Sequence, residues 1–233
     1  MSGLVIEACR FASGALAAVA DPSKAPDMQA YMKTDMPFYG VQKPARTKIL
    51  RELVHRFPPP DRAGYEALVM ALWQLPRREE KYLALGVARH FHEYVVPEEL
   101  PLYQGLILEG AWWDLVDEVV THLICDLVVG HPEAVWPTVD TWIDDDDMWL
   151  RRTAIICQVG AKEDTDGVRL FRFCEARAFE MEFFIRKAIG WALRQHATVD
   201  PDAVARFVIE HRDQLSGLSY REAAKHIGHL LPS

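Results

Sequence analysis

Residues 112–129 read WWDLVDEVVTHLICDLVV, and their spacing decides the fold class. Val116, Val119, Val120, Leu123, Ile124 and Leu127 fall on one side of a helix that turns by about 100° per residue. Asp114 and Glu118 rotate toward water. Trp113 and Asp117 stand four residues apart on the edge of the apolar stripe, so an indole and a carboxylate share one helical edge. An acid in a helix's first turn ordinarily complements the helix dipole. Asp114 suits that role, whereas Asp117 lies further in and faces the apolar side.

The same period recurs outward in both directions. It predicts helices near 4–20, 25–34, 43–57, 61–74, 78–94, 98–109, 113–129, 132–143, 147–160, 166–177, 181–196, 201–213 and 219–230. Runs of β-branched residues alternating with polar ones are missing, so no strand is expected. The breaks carry the usual punctuation: Asp21-Pro22-Ser23, Pro58-Pro59-Pro60-Asp61, Val96-Pro97, Gly130-His131-Pro132 and Asp200-Pro201. Thirteen short helices do not share one bundle core. Similar lengths and short turns from residue 61 onward predict stacked hairpins, an all-α solenoid of HEAT-like repeats, curved, with its concave side as the binding face. The expected organisation is a single domain over residues 1–233.

Composition narrows the classes further. Half of the 233 residues are apolar and 26% are charged, which excludes a disordered chain. Apolar runs are too short to span a bilayer. The run Gly14 to Ala20 is not read as a leader, because it lacks a basic start and Glu7 precedes it. The four cysteines, at 9, 125, 157 and 174, have neither zinc-knuckle nor redox spacing and read as buried thiols. The histidine pairs His90/His92 and His226/His229 lack a third ligand nearby, so no metal site is expected.

A net charge of −8 argues against generic nucleic-acid binding, yet the charge is uneven. No Lys or Arg lies between Arg89 and Arg151, while acids accumulate there and end in Asp144 to Asp147. Those four acids are expected to cap the helix that follows. The cations flank the stretch: Lys43, Arg46, Lys48 and Arg51 before it, and Arg151, Arg152, Arg186, Lys187 and Arg194 after it. On the helix from 181, Lys187, Trp191 and Arg194 share a face, opposite Ile185, Ile189 and Ala192. An aromatic between cations suits the backbone and sugars of a nucleic acid. A solvated basic face with one amphipathic indole fits the same pattern.

Several stretches together carry a family resemblance. They are Tyr31-Met32-Lys33, Phe38 to Pro44, Leu72 to Pro76, Trp112 to Asp117, Trp149 to Ile155, Phe183 to Arg194 and Arg221 to Ile227. In this order over almost the whole chain they resemble the AlkD-like DNA alkylation repair glycosylases. Most specific is Trp-Trp-Asp-x-x-Asp followed about seventy residues later by Lys-Ala-Ile-Gly-Trp-x-Leu-Arg. The resemblance implies a concave face that holds duplex DNA and hydrolysis of the N-glycosidic bond of N7- and N3-alkylated purines, without a cofactor. It implies Asp117 as the catalytic carboxylate with Trp113 and Trp191 lining the site. Arg152, Arg194, Lys187, Tyr31, Gln42, Lys43 and Arg46 would be DNA contacts. It also implies a monomer that works in the cytoplasm on the nucleoid.

The residues suit that chemistry. A cationic purine leaves without being protonated, so the general acid of ordinary glycoside hydrolysis is dispensable. One carboxylate remains useful to stabilise a positive sugar and to orient water. The basic-free stretch around Asp117 leaves it no neutralising neighbour in sequence. Two other functions compete: a DNA-structure-binding paralogue without catalysis, and a protein–protein scaffold. The presence of Asp117, Trp113 and Trp191 favours the enzyme.

Overall fold

A computed structural model describes residues 2–232. They are helical throughout, with no strand among them, and form two compact units, one up to Val95 and one from Val96 onward. The first contains α1 (Gly3–Ala18), α2 (Ala25–Met32), α3 (Lys43–Arg56), α4 (Arg62–Trp73) and α5 (Arg78–His90). The second contains α6 (Leu100–Gly110), α7 (Trp113–Glu118), α8 (Cys125–Gly130), α9 (Pro132–Trp142), α10 (Met148–Ile156), α11 (Gly167–Ala176), α12 (Phe183–His196), α13 (Pro201–Glu210) and α14 (Gly217–Ile227). Within each unit, helices pack mainly against near neighbours in the chain, as a solenoid of helical hairpins requires.

Short polar side chains start the helices. Asp61, Asp147, Asp166, Asp200 and Ser216 each accept a backbone N–H from the first turn that follows, at 2.8–3.2 Å. Each bond satisfies a donor that the helix itself leaves open, worth about 1 kcal/mol. Of the acidic run, Asp147 is the cap, Asp145 accepts from the Asp147 N–H at 2.8 Å, and Asp144 pairs with Arg177.

Two expected helices differ in detail. The segment over 113–129 is not one regular helix: a π-helical turn, Val119–Ile124, separates α7 from α8. The expected stripe nevertheless stays buried at all six positions, from Val116 to Leu127. The wider turn leaves the apolar residues inside, where burial of each is worth about 1.5–3 kcal/mol. The helix expected over 147–160 ends at Ile156, and Gly160 at φ 113° completes the turn beyond it.

In the first unit, the wholly buried Glu79 organises the loop before α3. Its carboxylate accepts the N–H groups of Tyr39, Gly40 and Val41, each at 2.9 Å. Glu80 beside it accepts from Ser13 at 2.6 Å, from the Tyr39 hydroxyl at 3.0 Å and from the Arg77 N–H at 2.8 Å. Gly40 sits at φ 83°, and a Cβ there would lie 2.0 Å from the Asp21 carbonyl oxygen. Only glycine fits this loop.

Candidate nucleic-acid interface and active site

Asp117 is the last residue but one of α7, two residues before the π segment begins at Val119. The Thr121 hydroxyl donates to its carbonyl at 2.7 Å. Its carboxylate receives Nε and Nη2 of Arg152 at 2.9 and 2.7 Å, a bidentate pair. The remaining Nη1 of Arg152 donates to the Phe184 carbonyl in the first turn of α12, at 2.6 Å. Asp117 on α7, Arg152 on α10 and Phe184 on α12 thus form one connected chain. Arg152 is buried, its side chain 5% exposed, while that of Asp117 keeps 19%. The Asp117 side chain is therefore not wholly sealed from solvent.

Two influences compete at Asp117. Burial raises its pKa, Arg152 lowers it, and the net position is above the ordinary aspartate value of 3.8. The carboxylate is oriented and partly stripped of water, as charge stabilisation in a site demands. The sequence leaves Asp117 without a cationic neighbour, but the fold brings one from 35 residues away. Arg152, implied by the resemblance as a DNA contact, has its donors turned to Asp117 and Phe184 rather than to an open surface. Its neighbour Arg151 turns elsewhere, to Glu180 at 2.9 Å and to the carbonyls of Asp145 and Asp146 at 2.8 Å.

An aromatic cluster lies beside this chain. Trp149 and Phe184 have ring centroids 4.9 Å apart, Trp112 and Phe184 5.4 Å, and Trp112 and Trp149 6.2 Å. Trp112 caps the start of α7, while Trp149 and Phe184 are the second residues of α10 and α12. Sequence reasoning missed this cluster. Its signal is an aromatic at the opening of α7, α10 and α12, at 112, 149 and 184. The contacts lock the helix starts that hold Asp117 and Arg152.

Trp113 and Trp191 are both half-buried. Trp113 precedes Asp117 by four residues on the same helix. Trp191 lies seven residues beyond Phe184, hence within about 20° of it around α12 and about 10 Å further along. Lys187 and Arg194 flank Trp191 and both contact Glu222 of α14, Lys187 at 3.2 Å.

In the first unit, Tyr31 on α2 is exposed, as are Gln42 and Lys43 at the start of α3. Arg46 is less available: its guanidinium lies 4.2 Å above the Tyr82 ring and donates to the Val41 carbonyl at 3.3 Å. Among the thiols, Cys125, Cys157 and Cys174 are buried, and burial pushes the Cys125 pKa up to about 11. Such thiols are poor nucleophiles.

Residues 12–227 match the family described as DNA alkylation repair enzyme. The chain belongs to that family. The match spans both compact units. A solved structure, described as a predicted DNA alkylation repair enzyme from Enterococcus faecalis, is similar at a TM-score of 0.79 and 28% sequence identity. That likeness covers 89% of this chain and 96% of the other. No protein with a curated description matches. Membership sets a role in alkylation repair. Among the described residues no helix is long and apolar enough to cross a membrane.

Proposed function

We propose that the protein is a monofunctional DNA glycosylase. It hydrolyses the N-glycosidic bond of cationic N7- and N3-alkylated purines in duplex DNA and leaves an abasic site, acting as a monomer. The observation that carries this reading is the Asp117 carboxylate, gripped by buried Arg152 at 2.9 and 2.7 Å on a side chain that keeps 19% of its surface exposed.

The bond from C1′ to the purine nitrogen breaks, and its electron pair neutralises the positive base. Asp117 stabilises the positive sugar that forms and orients water toward C1′. The water oxygen bonds to C1′ and its proton passes to the carboxylate or to solvent. Trp113 and Trp191 offer electron-rich ring faces to the developing charge, each worth about 0.5–2 kcal/mol. Arg152 is assigned here to holding Asp117 rather than to the duplex. Lys187 and Arg194 contact phosphates, as do Tyr31, Gln42 and Lys43, with Arg46 beside them. No covalent enzyme intermediate is needed, so the strand is not cut.

The reaction uses the charge of the damaged base as its driving force. Duplexes carrying 7-methylguanine are therefore expected to lose the base, while duplexes carrying uncharged hypoxanthine keep it. Equal release from both would overturn this reading. Salt-sensitive duplex binding without release from either would favour the non-catalytic DNA binder.

A further inference from the structure

Helices α12 and α14 approach each other closely at Gly190. A Cβ on Gly190 would lie 2.5 Å from Glu222 Cβ and 3.0 Å from the Ser219 carbonyl oxygen. The buried Ser219 hydroxyl donates to the Arg186 carbonyl at 2.9 Å and ties the same two helices. The root of the Glu222 side chain is therefore fixed against α12. Its carboxylate meets three cations: Lys225 at 2.9 Å, Lys187 at 3.2 Å, and Arg194. The carboxylate lies beneath them, its side chain 13% exposed against 51% for Lys225, 40% for Lys187 and 27% for Arg194. Three cations thus meet one carboxylate, and Lys187 and Arg194 stand on the face of α12 that carries Trp191. An ammonium has three donors and a guanidinium five, so each partner keeps donors for a second anion.

We propose that Glu222 is a positioning residue that gathers Lys187, Arg194 and Lys225 into one site for a backbone phosphate diester of duplex DNA, with Lys225 as its third donor. Without the carboxylate, three like charges would repel and their long side chains would splay. The lysines, Lys225 foremost, hold the Glu222 carboxyl below its ordinary value of 4.5, so it stays ionised wherever the cluster works. This inference rests on the duplex-DNA reading above.

The test is fluorescence anisotropy with an undamaged duplex at several salt concentrations. Glu222→Gln adds one positive charge, and simple attraction would tighten binding. Positioning predicts the reverse: weaker binding, largely restored in Glu222→Asp. Lys225→Gln should weaken binding about threefold to tenfold and reduce the slope of log affinity against log salt by about one. In the Glu222→Gln background the same lysine change should cost much less. Tighter or unchanged binding by Glu222→Gln would overturn the proposal. So would a Lys225→Gln variant with unaltered affinity and slope, a decisive outcome because a change at a half-exposed lysine costs the fold little. A wild-type protein with neither base release nor salt-sensitive binding would instead overturn the glycosylase reading. Release intact, with these variants binding as wild type, would remove only the role of Glu222.

Discussion

Removing the Arg152 guanidinium takes away the influence that lowers the Asp117 pKa. In the proposed reaction base release needs the ionised carboxylate, so its acid limb should lie above pH 3.8, and Arg152→Ala should move that limb further up. A pH–rate profile of both proteins checks this. The sign for stability runs opposite to the usual aspartate. A raised folded pKa gives stability that is present at low pH and lost as pH rises through the folded value. Ionised Asp117 therefore opposes folding at neutral pH, where its proposed chemistry operates. Arg152→Ala should also destabilise the fold by about 3–5 kcal/mol, since it leaves a buried carboxylate unpaired, and denaturant unfolding measures that. The Asp117–Trp113 edge is legible in the sequence because both residues sit on one helix. The guanidinium is not, because partners 35 residues apart meet only once the helices stack.

At the level of elements, the helical segments are legible almost throughout, because caps and prolines mark them locally. The π-helical turn after Asp117 is not: the stripe from Val116 to Leu127 reads as one regular face, and burial tolerates the wider turn. Close helix contacts are likewise hidden. Gly190 is the place where α14 approaches α12, and its local sequence does not mark that contact. Gly190→Ala should force Glu222 aside and destabilise the fold by about 1–3 kcal/mol, seen as a lower midpoint in thermal or denaturant unfolding. The change should disturb DNA affinity as well, because Glu222 gathers the cations beside Trp191.

Across the whole molecule, a net charge of −8 coexists with a proposed DNA-binding face. The resolution lies in pairing. In the second unit Arg151 is held by Glu180, Arg152 by Asp117, Arg169 by Asp140 and Asp166, and Arg177 by Asp144 and Glu180. Counting cations along the sequence overstates how many can meet a phosphate. The salt dependence of duplex binding should accordingly be shallow, corresponding to roughly three to six phosphates, and an anisotropy titration reads it directly. The family resemblance is legible because its motifs run in order over both units; which arginines remain free is decided only by the fold.

The central claim is that Asp117 makes an alkylation-repair protein a glycosylase. It is tested by incubating purified protein, without added metal, with a duplex containing 7-methylguanine and quantifying the free base by chromatography. Asp117→Asn keeps an acceptor for Arg152 and should keep duplex affinity, while its release rate should fall by about a hundredfold or more. Release by the variant at the wild-type rate, or binding without any release by the wild type, would contradict the account.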